Sequence, residues 1–173
     1  MRHALVFAAA ALLLAAPALA ETQEQLLSQG PPKTTQPLPD PGHIPMIFGK
    51  DIPWKGGEGE KSAALFGDPS KPGPYTVMYK WYPGNFSKPH YHNNVRWAYV
   101  LSGTWWTSSS SVYDERLTYP VHAGTVAVDQ LRGIHWDGAR TGEKEPAVLI
   151  LSGIGPNITQ GVDENGKDSG PAR

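Results

Sequence analysis

Short apolar runs, cut up by glycine and proline, limit what this chain can fold into more than any other feature. Its 173 residues include 19 glycines and 17 prolines. Proline removes a backbone donor and clashes inside a helix, and glycine supplies turn conformations, so long helices are disfavoured wherever both recur. Beyond residue 20 no stretch sustains the apolar period of a helix. The runs that remain, at 45–48, 63–66, 75–82, 97–101, 104–108, 125–129 and 147–152, read as strands. In the third, Val77, Tyr79 and Trp81 alternate with Thr76, Met78 and Lys80, which gives one apolar face. In the last, Val148, Leu149, Ile150 and Leu151 are continuously apolar, as in a strand covered on both faces. Ser102-Gly103 suits a tight hairpin turn. This spacing of short strands predicts an all-β sandwich or barrel with little helix.

The ends of the chain read differently. Arg2 and His3 are followed by an apolar run over 4–16 and by Ala18-Leu19-Ala20, a small-x-small cleavage signature. That predicts a signal peptide over 1–20, cleaved after Ala20, and a periplasmic or secreted protein. The apolar run falls short of the roughly 20 residues that span a bilayer, and no later run approaches them, so no membrane span is expected. About 150 residues then remain, enough for one domain around a single core. Residues 21–42 contain Pro31, Pro32, Pro37, Pro39 and Pro41 and read as an extended arm, either a linker or a strap on a neighbouring subunit. Residues 161–173 are charged, contain glycine and nearly lack large apolar side chains, which predicts a mobile tail.

Charge and cysteine usage narrow the chemistry. The formal net charge is −1, and losing Arg2 with the leader makes it slightly more negative, far from the basic balance of a phosphate-backbone binder. Nucleic acid is not an expected partner. With no cysteine, there are no disulfides, thiolate ligands or cysteine nucleophiles.

Histidine carries the chemical signal. His90 and His92 are two apart, so on an extended segment both imidazoles point the same way and can converge on one cation. Pro89 favours an extended approach and Gly84 a turn before it. His135 could add a third nitrogen from another strand, and three histidines with open positions form a catalytic type of metal site. A His-x-His pair alone is equally compatible with exposed polar positions or local hydrogen bonding. His43 and His122 stand apart and are not expected to bind metal.

Two spacings frame these histidines. Five residues separate Gly84 from His90, one His90 from His92, three His92 from Arg96 and six Arg96 from Gly103. Five separate Gly124 from Gln130, one Gln130 from Arg132 and two Arg132 from His135. Both reproduce cupin motifs, so the chain resembles the cupin superfamily over about residues 44–156. Within it, the segment Leu65-Phe66-Gly67-Asp68-Pro69-Ser70-Lys71-Pro72-Gly73-Pro74 resembles the small exported bacterial cupins. The resemblance implies a jelly-roll β-barrel of two packed antiparallel sheets over 43–160, ligand histidines in its mouth, and often a homodimer. It implies no single reaction. Two departures stand out. Arg96 occupies the position of a glutamate ligand, and a guanidinium cannot coordinate a metal. Gln130 and Arg132 replace the usual proline and glycine of the second motif, which puts the turn before His135 in question.

The expected function is therefore metal-dependent chemistry, oxygenase- or isomerase-like by analogy, on a small anionic or aromatic molecule. The cofactor would be a divalent Fe, Mn, Ni, Cu or Zn ion held by His90, His92 and His135. Arg96 and Tyr79 are the candidate substrate contacts. Pointing inward, Arg96 would hold a carboxylate; pointing outward, it would be a surface charge. Trp81, Trp97, Tyr99, Trp105, Trp106 and Trp136 could line an aromatic pocket or pack the core and an interface. Asp137 could act as a general base or stand in a turn. The alternatives are a non-catalytic ligand-binding cupin with a degenerate metal site and a purely structural protein.

Overall fold

A computed structural model describes residues 46–172. The predicted leader, the proline-rich arm and His43 lie outside these residues. In chain order the strands are β1 (Lys55–Gly56), β2 (Glu60–Phe66), β3 (Gly73–Trp81), β4 (Asn85–Phe86), β5 (His90–His92), β6 (Arg96–Ser102) and β7 (Thr104–Ser108). They continue with β8 (Tyr119–His122), β9 (Val126–Asp129), β10 (Trp136–Ala139), β11 (Ala147–Gly155), β12 (Thr159–Val162) and β13 (Asp168–Pro171). Two 3-10 turns, Gly49–Asp51 and Glu115–Leu117, are the helical elements among the described residues. No helix among these residues is long and apolar enough to cross a membrane.

Antiparallel pairing assembles three sheets, in the orders β1-β2-β3-β11-β6-β9, β4-β10-β7-β8 and β13-β12-β5. Alternation along the strands decides where the core lies. Tyr75, Val77, Ala98, Val100, Leu149 and Leu151 point from the six-stranded sheet onto Trp105 and Ala139 of the four-stranded sheet. Leu149 and Val100 are fully buried, each removing about 1.5–3 kcal/mol worth of apolar surface from water. The result is the all-β jelly roll of packed antiparallel sheets expected from the sequence. Gly103 closes the β6–β7 hairpin at φ 70°, where a Cβ would lie 2.4 Å from the Pro146 carbonyl oxygen, so no other residue suits this turn.

Three expectations need correction. The stretch read as a strand at 45–48 forms none over its described part; Phe48 is extended and leads into the 3-10 turn Gly49–Asp51. Without a neighbouring strand its apolar side chains have no sheet to join. The run 148–151 is covered on one face only: Leu149 and Leu151 are buried, Val148 and Ile150 half-buried, and Ile154 is exposed. The segment expected to trail as a mobile tail instead forms the β12–β13 hairpin, with β12 pairing β5 from Thr159↔His92 to Gly161↔His90. Backbone hydrogen bonds supply this order where apolar side chains are few.

Candidate metal centre

β5 is short but fixed on both edges. On one side it pairs with β12, and Val162 donates its N–H to the Pro89 carbonyl at 3.0 Å. On the other, His90 and His135 exchange backbone hydrogen bonds of 2.9 and 2.8 Å, and Arg132 donates its N–H to the His92 carbonyl at 2.9 Å. The turn before His135 therefore survives the loss of its usual glycine. Arg132 takes up the left-handed conformation itself, φ 58°, and lays its guanidinium over the Tyr91 ring at 4.5 Å. That backbone costs a non-glycine residue about 1–2 kcal/mol, part of which the cation–π contact offsets.

The three imidazoles meet. One nitrogen from each of His90, His92 and His135 lies within 4.8 Å of the others. His90 and His92 are buried, and their Nε2 atoms face each other at 3.1 Å. Second hydrogen bonds set the tautomers. His90 Nδ1 donates to the Lys88 carbonyl at 2.6 Å and His135 Nδ1 to the Gly133 carbonyl at 2.9 Å, while His92 Nδ1 lies 3.2 Å from Thr159 Oγ1. The Nε2 lone pairs of His90 and His135 are thereby turned inward. Burial, reinforced by His135, lowers the His90 pKa to about 4. Burial, then the Arg96 charge, lowers that of His92 to about 2. Both rings are neutral near pH 7, the form that ligates a metal. His135 Nε2 is buried without a hydrogen-bond partner among the described residues, a cost normally relieved by an ion or ligand. A tetrahedral ion bound at about 2.0–2.1 Å wants its nitrogens roughly 3.3 Å apart. The residues present fit a metal ion.

Arg96 points inward from β6 and is buried. Its Nε donates to Asp129 Oδ2 at 3.0 Å, joined by Nη2, because the β6–β9 register places the two residues opposite each other. The same Asp129 oxygen lies 3.8 Å from His135 Nε2. An acid therefore stands beside the histidines, delivered by β9 and not by β6. The sequence reading passed over Asp129, and only strand register could have signalled it.

A cavity of about 380 Å³ opens over His90 and His92, lined in part by Glu60, Tyr79, Trp81, Phe86, Arg96 and Asp137. Tyr79 is half-buried on its wall, and burial raises the phenol pKa. Asp137 is no turn residue: it is buried in β10, where Oδ1 accepts from Ser87 Oγ at 3.0 Å and Oδ2 from Trp105 Nε1 at 2.7 Å. The aromatics divide between roles. Trp81 lines the cavity, Trp105 packs the core, Trp136 is buried against Phe86 and Tyr113, Trp106 lies under Arg140, and Trp97 and Tyr99 face outward. His122 is exposed on β8 opposite Thr104, away from the cluster.

No protein-family model and no curated protein matches this sequence. Solved structures do. The polyketide cyclase RemF from Streptomyces resistomycificus superposes with a TM-score of 0.54 at 14% identity, covering 66% of this chain and 81% of that one. A protein of unknown function with a cupin-like fold from Ralstonia eutropha gives 0.53 at 21% identity, over 66% of this chain and 65% of that one. An RmlC-like cupin from the same organism gives 0.53 at 18% identity, over 69% and 73%. The chain has the cupin fold. At these identities the likeness fixes the cupin architecture and leaves the chemistry to the residues of the site. There this chain keeps three histidines, puts an arginine at the position where the cupin motif usually has a glutamate, and pairs that arginine with Asp129.

Proposed function

We propose that this is an exported cupin whose His90, His92 and His135 hold a divalent transition metal at the floor of the cavity, where a small molecule is bound and transformed. The observation that carries the reading is the convergence of three imidazoles, with the His135 Nε2 buried and without a hydrogen-bond partner among the described residues, and with His90 and His92 lining a cavity large enough for a ligand. Imidazole suits Fe, Mn, Ni, Cu and Zn alike, and such an ion would supply Lewis acidity or, where redox-active, an electron-transfer centre. The chain's own part is orientation and exclusion of water: Thr159, Lys88 and Gly133 fix the rings, and Leu151, Phe86 and Trp81 supply apolar wall. Inward orientation of Arg96 beside the histidines favours a working site over a decorative one. Because its charge is already met by Asp129, the aromatic choice of ligand is better supported than a carboxylate clamp, with Tyr79, Trp81 and Phe86 as the contacting rings.

The second reading, ligand capture without turnover, draws on Arg96 itself, which leaves the ion one protein ligand short of the usual cupin set. We further propose that export follows the leader over 1–20 and that the protein works as a homodimer. Elemental analysis of protein purified without chelator tests the centre. Near-stoichiometric metal is expected in the wild type and its loss in the His90→Ala, His92→Ala double variant. Wild-type protein that stays metal-free after incubation with each of the five ions would overturn the reading.

A further inference from the structure

Glu60 is an acid of the cavity that no described residue holds. It opens β2 opposite Trp81 and lines the same space as His90 and His92. Its carboxylate makes no hydrogen bond and no ion pair among the described residues, whereas both oxygens of Asp137 are taken by Ser87 and Trp105. The cations of the cavity are engaged elsewhere: Arg96 with Asp129, and Lys88 with its Nζ 3.9 Å over the Tyr113 ring. Around Glu60 the titratable groups of the cavity are Tyr79 on β3, Lys88 before β5, His90 and His92 on β5, Arg96 on β6 and Asp137 on β10. Two carboxylates share this half-closed space, and among the described residues no side-chain cation is free to meet a third, which would have the metal alone to hold it. They invite a donor.

We infer that Glu60 is the proton acceptor of this cavity and that the ligand it serves is a small aromatic molecule carrying an acidic hydroxyl, a phenol and not a carboxylate. The ring would lie among Trp81, Phe86 and Tyr79, with its oxygen towards the histidines. The hydroxyl O–H bond breaks, a Glu60 Oε–H bond forms, and the electron pair stays on the ligand oxygen. Burial first, then the Asp137 charge, raises the Glu60 pKa, which brings its proton affinity closer to that of a phenol and makes it a better base than a solvated glutamate. Asp137, fixed by two donors, remains an acceptor that keeps Glu60 high.

The inference rests on the metal-centre reading, so the test loads zinc, which is redox-inert, and measures it first. The probe is 4-nitrophenol, whose visible absorption reports its ionisation, at a pH about one unit below its own pKa. Zinc-loaded wild type is expected to bind it as the phenolate with no net proton released to the buffer, by calorimetry in two buffers of different ionisation enthalpy. Glu60→Gln with unchanged zinc content should bind it roughly ten- to a hundredfold more weakly and release a proton for every phenolate formed. Benzoate should bind the wild type more weakly than the phenol. Equal affinity and proton balance in Glu60→Gln, tighter binding of benzoate, or no binding of 4-nitrophenol to zinc-loaded wild type each overturns the assignment. Absence of zinc from the wild type would instead remove the metal-centre reading beneath it.

Discussion

The Arg96 guanidinium takes Asp129 through both Nε and Nη2, and the two side chains are 8% and 9% exposed. In so dry a setting either charge alone is far more costly than the pair. Asp129→Ala should therefore destabilise the protein by about 3–5 kcal/mol in urea unfolding, while the apolar double replacement Arg96→Met, Asp129→Leu costs much less. A loss below about 1 kcal/mol in the single variant would show that the pair is solvated. The histidines themselves were legible in the sequence, because residues two apart share a strand face whatever the rest of the chain does. Asp129 and Glu60 were not. Each reaches the site through register across a strand pair, β9 on β6 and β2 on its successor β3, and the spacing of residues along one strand does not encode that.

At the scale of elements, β5 depends on a neighbour that the sequence concealed. β12 covers its free edge, and Thr159 places its hydroxyl 3.2 Å from His92 Nδ1. β13 touches β12 alone within that sheet. Ending the chain after Val162 should lower stability modestly yet leave the metal bound. Ending it after Pro156, which removes β12 as well, should expose the edge of β5 and lose the metal, as read by elemental analysis after dialysis. Equal retention in both would mean that the bridge to His135 holds β5 by itself. The hairpin escaped the sequence reading because Gly161, Asp163, Gly166 and Asp168 are poor strand formers, and backbone pairing overrides that preference. β10 escaped for a related reason. Its Gly138 looks like a break, but a Cβ there would lie 2.1 Å from the Asn85 carbonyl oxygen, so glycine is what lets β10 lie against β4.

For the whole molecule, the six-stranded sheet has an outer face that on β6 and β9 is as apolar as an inner one. On β6, Arg96, Ala98 and Val100 turn inward while Trp97, Tyr99 and Leu101 turn out, and Trp97 and Tyr99 pair with Val128 and Val126 of β9. Trp97 is 50% exposed and Val126 64%. An antiparallel sheet with one solvated face normally alternates apolar with polar residues. Here the alternation fails on adjoining strands at once, and a contiguous patch of this kind marks a contact surface. A second copy presenting the same face across a two-fold axis would cover it on both sides. Sedimentation velocity should then give a dimer for the wild type and a monomer for Trp97→Glu, Val126→Glu, since like charges opposed across a desolvated interface cost several kcal/mol. A monomeric wild type would refute the dimer. The consequence for the site follows from the strands involved. In such a dimer β6 and β9 would carry the interface on one face, with Arg96 and Asp129 on the other, so a monomeric variant should also hold its metal less tightly, because the sheet that aims the ion pair at His135 would lose its backing.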